Sequence, residues 1–236
     1  MFAAPSDPAN LGLVMGTAVP RSSEGDVGNV IAALVAADGT GAHVYAHPAS
    51  ASRLAASIAN LADAAHYLCM LHGRHPGVID HAASRTVDNA ARSWLLQASD
   101  AFAAERAFLT QVTVAVGPLP STSGQDQCDA TVLQQRHALD MLAQSDRRGC
   151  AMGAAIALVL DWRAVRKVLE VAALRVGIEP PPSLIPTSSA TLAVAKALGT
   201  DENITRALHF GARQLLGQHR GLWDLLQARA SIRQQS

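Results

Sequence analysis

The chain has 236 residues, of which 49% are hydrophobic and 16% are charged, and its 19 basic and 19 acidic groups give a formal net charge of +0. This composition excludes a disordered chain, because enough apolar side chains are present to bury a core. The balanced charge gives no electrostatic reason to bind nucleic acid or an anionic membrane. The 46 alanines, against nine aromatic residues, favour helices, because strands prefer branched and aromatic side chains.

The cysteines and the N-terminus indicate a compartment. Cys69, Cys128 and Cys150 are too widely spaced for a C-x-x-C motif, and such a sparse, odd set is typical of a reducing environment, so we predict a cytoplasmic protein. Residues 1–10 contain no basic residue and do not predict a signal peptide. The longest apolar run, residues 149–160, is too short to span a membrane.

The predicted elements begin after a loose segment, residues 1–22, that is rich in Pro, Ser, Asp and Gly. Ser23 precedes a short apolar helix, which the turn-forming residues 38–41 end. Apolar residues spaced by three and four then predict four long helices and one short helical turn. The long helices cover residues 50–71, 86–116, 125–144 and 146–176, and the turn covers 78–83. The last two long helices could also form one bent rod, since only Gly149 interrupts them.

A proline-rich stretch, residues 179–187, predicts a stiff linker. Shorter amphipathic segments follow at 188–198, 201–216 and 219–232, with Thr200 or Asp201 as a capping residue. We therefore predict an all-α fold with an antiparallel four-helix bundle core. The bundle region, including the short N-terminal helix, spans 23–178, and a C-terminal helical hairpin, residues 188–236, packs on it.

Two carboxylates lie inside apolar stripes, Glu105 in the second long helix and Asp161 in the fourth. At 100° per residue both fall within the buried arc, where an unpaired charge would cost several kcal/mol. Each is interpreted either as a structural acid paired with Arg, His or a backbone donor, or as part of a ligand-binding site inside the bundle. The candidate ligand-binding residues are Glu105, Asp161 and His137.

Histidines add a metal-binding alternative. His66 follows Asp63 by three residues and His137 follows Gln134 by three, a spacing that places two side chains on one helical face. Residues 50–176 thereby resemble the ferritin-like di-iron proteins, with Gln134 at a glutamate position and the paired and single-acid helices in swapped order. The resemblance implies iron or another divalent metal as cofactor, held by Asp63, His66, Glu105, His137 and Asp161.

Two further patterns concern partners. Gly149 and Gly153, with nearby alanines, make one side of the fourth helix small, which favours close packing within the chain or, alternatively, a homodimer face. Residues 191–216 resemble a helix-turn-helix, and this leaves a DNA-binding regulator as an alternative. Carboxylates at Asp201 and Glu202 would repel DNA from the first turn of its recognition helix. The other interpretation is a hairpin docked on the bundle.

Motifs for nucleophilic catalysis and phosphate binding are absent: the sequence contains no G-x-S-x-G, Walker loop or G-x-G-x-x-G. As a whole, the chain resembles a bacterial family of small helical proteins with a domain of unknown function, through residues 66–81, 105–124 and 135–162. That resemblance implies no activity. We therefore predict a non-enzymatic helical protein, without a cofactor, that binds another protein or a small ligand.

Overall fold

A computed structural model describes residues 1, 26–47, 54, 57–199 and 201–235. Apart from Met1, the predicted loose segment lies outside the described residues, as do Ser23 and Thr200. All regular structure in the described ranges is helical, which confirms the all-α class. No helix within those ranges is both long enough and apolar enough to cross a bilayer.

The described part contains eight α-helices. They are α1 (Val27–Asp38), α2 (Ile58–His72), α3 (Val78–Arg85), α4 (Asn89–Ala115), α5 (Gln125–Ala143), α6 (Cys150–Arg175), α7 (Ser188–Leu198) and α8 (Glu202–Gln235), with a 3-10 turn at Thr40–Ala42.

At two places the observed helix boundaries decide between, or correct, the predictions from the sequence. Helices α5 and α6 are separate, because Gly149 has a left-handed φ of +99° that cannot continue a helix. The bent rod is therefore wrong. The predicted segments 201–216 and 219–232 are one helix, α8. Gly217 does not break it, since one glycine in a helix interior costs only about 1 kcal/mol.

Helix α6 lies at the centre of the described fold and packs against each of the other seven helices. The reason is its composition. Apolar or small side chains cover almost every face of α6, and such a helix is stable only when it is buried. One hydrophobic cluster takes side chains from all eight helices. The core is thus organised around α6, with the long helix α8 as its most extensive neighbour.

The small residues of α6 bring its backbone against α8. A Cβ atom at Gly153 would lie 2.0 Å from the carbonyl oxygen of Leu208, and one at Gly211 would lie 2.0 Å from the carbonyl oxygen of Cys150. Only glycine permits so close a crossing. The small face is therefore occupied within the chain. A homodimer through this face stays a prediction, and α8 would have to leave α6 to allow it.

Candidate functional site

Glu105 is buried on α4, as predicted, and its carboxylate is surrounded by donors. Nη1 of Arg166 lies 2.6 and 2.7 Å from the two carboxylate oxygens. Nε1 of Trp162 donates to Oε2 at 3.0 Å, and the hydroxyl of Ser183 donates to Oε1 at 2.8 Å. The guanidinium also lies 4.2 Å from the centre of the Phe108 ring. These contacts support the structural interpretation of Glu105.

The same arginine anchors the proline-rich stretch that follows α6. Arg166 donates through Nη2 to the carbonyl oxygen of Pro181, and Nη2 of Arg163 donates to that of Pro186 at 2.8 Å. Residues 179–187 contain no helix. They run from α6 to α7 and are fixed to α6 by these two arginines.

Asp161 is buried on α6, also as predicted, and joins three elements. Its Oδ1 accepts the backbone N–H of Thr40 at 2.7 Å, and its Oδ2 accepts the Thr40 hydroxyl at 2.6 Å. A Cβ at Gly39 would lie 2.5 Å from Oδ1, so the turn after α1 can approach only because residue 39 is glycine. Nδ1 of His219, on α8, lies 2.6 Å from Oδ2.

A second buried histidine extends this arrangement. Nε2 of His72, at the end of α2, lies 2.8 Å from Nε2 of His219. The His72 ring packs edge-on against Trp162, with ring centres 5.4 Å apart. Burial, and then the nearby His219 and Arg106, lower the pKa of His72 well below its ordinary value, so its imidazole is neutral near pH 7. We call Asp161, His219 and His72 the buried relay.

Asp63 is buried on α2 and faces arginines of α8. Nε and Nη2 of Arg229 each donate to the carboxylate at 3.0 Å, and Nη1 of Arg233 lies 2.6 Å from it. Arg229 also donates to the carbonyl oxygen of Pro120 at 3.0 Å, which fixes the loop after α4. His66 is half-buried, and its Nε2 lies 2.7 Å from the carbonyl oxygen of Gly117. Both side chains of the predicted Asp-x-x-His pair are therefore held by contacts with other parts of the fold.

His137, the remaining candidate, is exposed on α5 and has no hydrogen bond to Glu105 or Asp161. Among the described residues, no group of three or more His, Cys, Asp or Glu side chains could hold a metal ion. Four of the five predicted metal ligands are instead held by other partners: Asp63, His66, Glu105 and Asp161. The expected convergence of Glu105, His137 and Asp161 does not occur.

A groove that the sequence did not reveal lies where α3, α6, α7 and α8 meet. It has a volume of about 360 Å³, within the range of small-ligand pockets. Its apolar part includes Met152, Leu198, Ile204 and Leu208. Its charged rim carries Arg85, Arg147, Arg148, Asp88 and Asp146. We call it the arginine-rimmed groove.

The N-terminus of α6 opens into this groove. Ala151 and Met152, in its first turn, line the groove, and no side chain caps the helix. The first N–H groups of a helix have no helical acceptor and carry the positive end of its dipole. The hydroxyl of Ser145 accepts the backbone N–H of Arg147 at 3.3 Å and does not cap α6. The groove therefore joins an apolar floor to the positive end of a helix dipole.

The three rim arginines have different contacts. Arg85 donates to the carbonyl oxygen of Gln144 at 2.6 Å and approaches Asp146 at 3.4 Å, so it fixes the α5–α6 loop to α3. Arg147 lies over Phe210, 5.9 Å from its ring centre. Arg148 is exposed and forms no ion pair with a described residue. Its guanidinium therefore faces solvent at the rim.

The segment 191–216 comprises most of α7 and the start of α8. Asp201 accepts the backbone N–H groups of Asn203 and Ile204 at 2.8 and 3.1 Å, which confirms it as a cap. Glu202 pairs with Arg206 at 3.0 Å on the same exposed turn. Carboxylates therefore occupy the end of α8 that a recognition helix would present to DNA.

These features define an all-helical protein with one central buried helix, ionised side chains held in buried pairs, and an amphipathic groove. The chain belongs to a family of unknown function (DUF6975), whose model matches residues 35–234. No curated protein and no solved structure matches it.

Proposed function

We propose that the protein binds a small organic anion, with an apolar body and one carboxylate, in the arginine-rimmed groove. The observation that carries this proposal is the uncapped N-terminus of α6, which opens into a groove with an apolar floor. The carboxylate would accept N–H groups of Ala151 and Met152 and pair with Arg148. The apolar body would lie against Ile204 and Leu208.

The charges at the rim favour an anion over a cation. Asp146 already faces Arg85, and the carboxylate of Asp88 accepts the backbone N–H of Ala91 at 3.2 Å as a cap of α4. The three rim arginines exceed the two rim aspartates by one positive charge, and the dipole of α6 adds to it. This net charge and the dipole would both repel a ligand cation and attract a carboxylate.

The test is titration with octanoate, followed by isothermal calorimetry and by the amide NMR signals of Ala151 and Met152. We expect saturable binding that shifts these two signals. Arg148→Gln should weaken binding about tenfold, the value of one charge-assisted hydrogen bond. Octylamine, with a similar chain and the opposite charge, should not bind.

A matched pair of variants on α7 tests the location. Ala197 is exposed and lines the groove, whereas Ala193 is exposed on the same helix and does not. Ala197→Trp should fill the groove and abolish octanoate binding, and Ala193→Trp should leave it unchanged. The proposal is overturned if wild-type protein does not bind octanoate, or if both tryptophan variants bind it equally.

A further inference from the structure

The outer faces of α5 and α8 form one surface that has no acidic residue, Lys or Arg at its centre. From Gln127 to Met141, α5 exposes seven residues, and none of them is Asp, Glu, Lys or Arg. The side of α8 next to α5 is uncharged as well, with Phe210, Gln214, Gln218, Leu225, Ala228 and Ile232. We propose that this α5–α8 surface is the interface of a symmetric homodimer, in which α5 of one copy packs against α8 of the other.

The two helices lie side by side and run in opposite directions. A Cβ at Gly221 would lie 2.7 Å from Nε2 of Gln135, and Arg233 donates to the hydroxyl of Thr122, just before α5, at 2.9 Å. Residue numbers therefore fall along α8 as they rise along α5. The depression between the helices has a volume of about 240 Å³, and none of its described lining residues is charged.

Large apolar side chains are exposed on this surface. Met141 is 61% exposed, Phe210 45%, Leu133 43% and Ile232 38%. Single exposed apolar side chains are common on any protein, but here four of them share one surface. Charge depletion together with Met and aromatic side chains is typical of the centre of a protein–protein interface.

The α5–α8 surface is large enough for a dimer. From Phe210 to Ile232, α8 is about 33 Å long, and two adjacent helices are about 20 Å wide. This corresponds to a flat area of about 600 Å², and the contours of the side chains add to it, whereas a standard interface buries about 800 Å² on each partner. The surface therefore approaches the size that a stable dimer needs.

The edges of the surface are charged, and they favour one orientation of the second copy. The edge on α5 contains Asp126, Asp129, Asp140 and Arg136, and the edge on α8 contains Arg213, Arg220 and Asp224. A two-fold axis that ran across the helices would place α5 against its own copy, so that two net acidic edges repelled each other. An axis along the helices places the α5 edge against the edge of α8 instead.

An axis along the helices also fixes which residues meet, because it leaves each residue at its own height. Asp140 lies at a height between those of Arg213 and Arg220, because residues 135 and 221 are side by side. Arg220 also approaches Asp38 at 3.5 Å within the chain. Arg213 of the second copy is thus the new partner that Asp140 would gain. A second copy therefore complements the charges at the edge as well as the uncharged centre.

Sedimentation velocity tests the dimer, since the chain has a mass of 24.6 kDa and wild-type protein should sediment with twice that mass. Met141→Glu places a charge at the centre of the interface in both copies, and it should raise the dimer dissociation constant at least about 100-fold. Leu96→Glu is the matched control. Leu96 is 55% exposed on α4, outside the α5–α8 surface, and its substitution should leave the mass unchanged.

Disulfide cross-linking tests the orientation. Ala130 on α5 and Ala228 on α8 are both exposed, and across the proposed interface they differ in height by about 3 Å. A mixture of Ala130→Cys and Ala228→Cys should give a covalent dimer on mild oxidation. Neither variant alone should exceed wild-type protein, which carries Cys69, Cys128 and Cys150.

Three results would overturn the proposal. Monomeric wild-type protein is the first, and it would indicate that a different protein covers the surface. The second is a Met141→Glu variant that dimerises as tightly as the wild type. The third is a wild-type dimer whose mixed cysteine variants do not cross-link, because α5 would then not lie against the partner's α8.

Discussion

The carbonyl oxygen of Leu208 on α8 occupies the space into which a side chain at Gly153 of α6 would extend, 2.0 Å from the Cβ position. An alanine there must push the two backbones apart. Because α6 packs against every other described helix, the displacement would open the core around it. We expect Gly153→Ala to lower the free energy of unfolding by about 1–3 kcal/mol, as overpacking does. Urea unfolding followed by circular dichroism measures this.

Gly217 provides the matched control for that substitution. It lies within α8, and a Cβ there would have no atom within 4 Å. Gly217→Ala should raise the free energy of unfolding by about 0.5–1 kcal/mol, because alanine is the better helix former. Equal stabilities of the two variants would contradict the contact between α6 and α8.

The Glu105–Arg166 pair gives a second prediction. Arg166→Met leaves a carboxylate buried without its cation, a change that costs about 3–5 kcal/mol. Glu170→Gln removes the half-exposed second partner of Arg166 and should cost under about 1 kcal/mol. Chemical unfolding of both variants, together with the Glu105→Gln/Arg166→Met double variant, tests this. The double variant should be less destabilised than Arg166→Met, and a strictly additive loss would contradict the pairing.

Periodicity predicted the burial of Glu105 and Asp161 but not their partners. Arg166 lies 61 residues from Glu105, and Thr40 lies 121 residues from Asp161. A helical repeat tells which face of a helix is buried, because it depends only on local spacing. Which side chain lies opposite depends on how distant helices pack, and a single sequence does not contain that information in readable form.

His219 shows a signal that could have been found. It lies on the stripe formed by Leu215, Leu222 and Leu226, at spacings of four, three and four, and the whole stripe is buried. The sequence prediction ended one segment at residue 216 and began the next at 219, which separated His219 from Leu215 and placed it at a helix end. A continuous helix would have shown a buried histidine in need of a partner.

Asp63 shows a different limit of predicting burial from an apolar stripe. It lies off the apolar stripe of α2, yet it is buried, because α2 contacts several helices and is buried on more than one face. The alanines around it allow this close packing. A single apolar stripe predicts burial correctly only for a helix with one buried face. It therefore could not predict that Asp63 is buried.

The cluster of Asp63, Arg229 and Arg233 gives a third prediction. Asp63→Ala leaves Arg229, which is 1% exposed, without its carboxylate, and should cost about 3–5 kcal/mol. Asp100→Ala is the control, because Asp100 is exposed on α4 and its loss should change stability by under about 0.5 kcal/mol. Thermal unfolding at neutral pH compares them. A small effect of Asp63→Ala would contradict the role of the cluster in joining α2, α8 and the loop after α4.

The lowered pKa of His72 gives a fourth prediction, for acid conditions. The folded state holds this imidazole neutral, while the unfolded state binds a proton below its ordinary pKa of 6.5. The unfolded state therefore binds more protons as the pH falls below 6.5, and stability must fall with it, by at most about 1.4 kcal/mol per pH unit for this group. Above pH 7 both states are neutral and the dependence on His72 disappears.

His72→Gln isolates this contribution, because His209, whose pKa burial also lowers, is present in both proteins. Urea unfolding of wild-type protein and His72→Gln at intervals from pH 7.5 to 5 measures the two slopes. The wild-type stability should fall more steeply below pH 6.5, and the two curves should run parallel above it. Parallel curves over the whole range would mean that the folded protein protonates His72 as readily as the unfolded chain does. That result would contradict a neutral His72 in the buried relay.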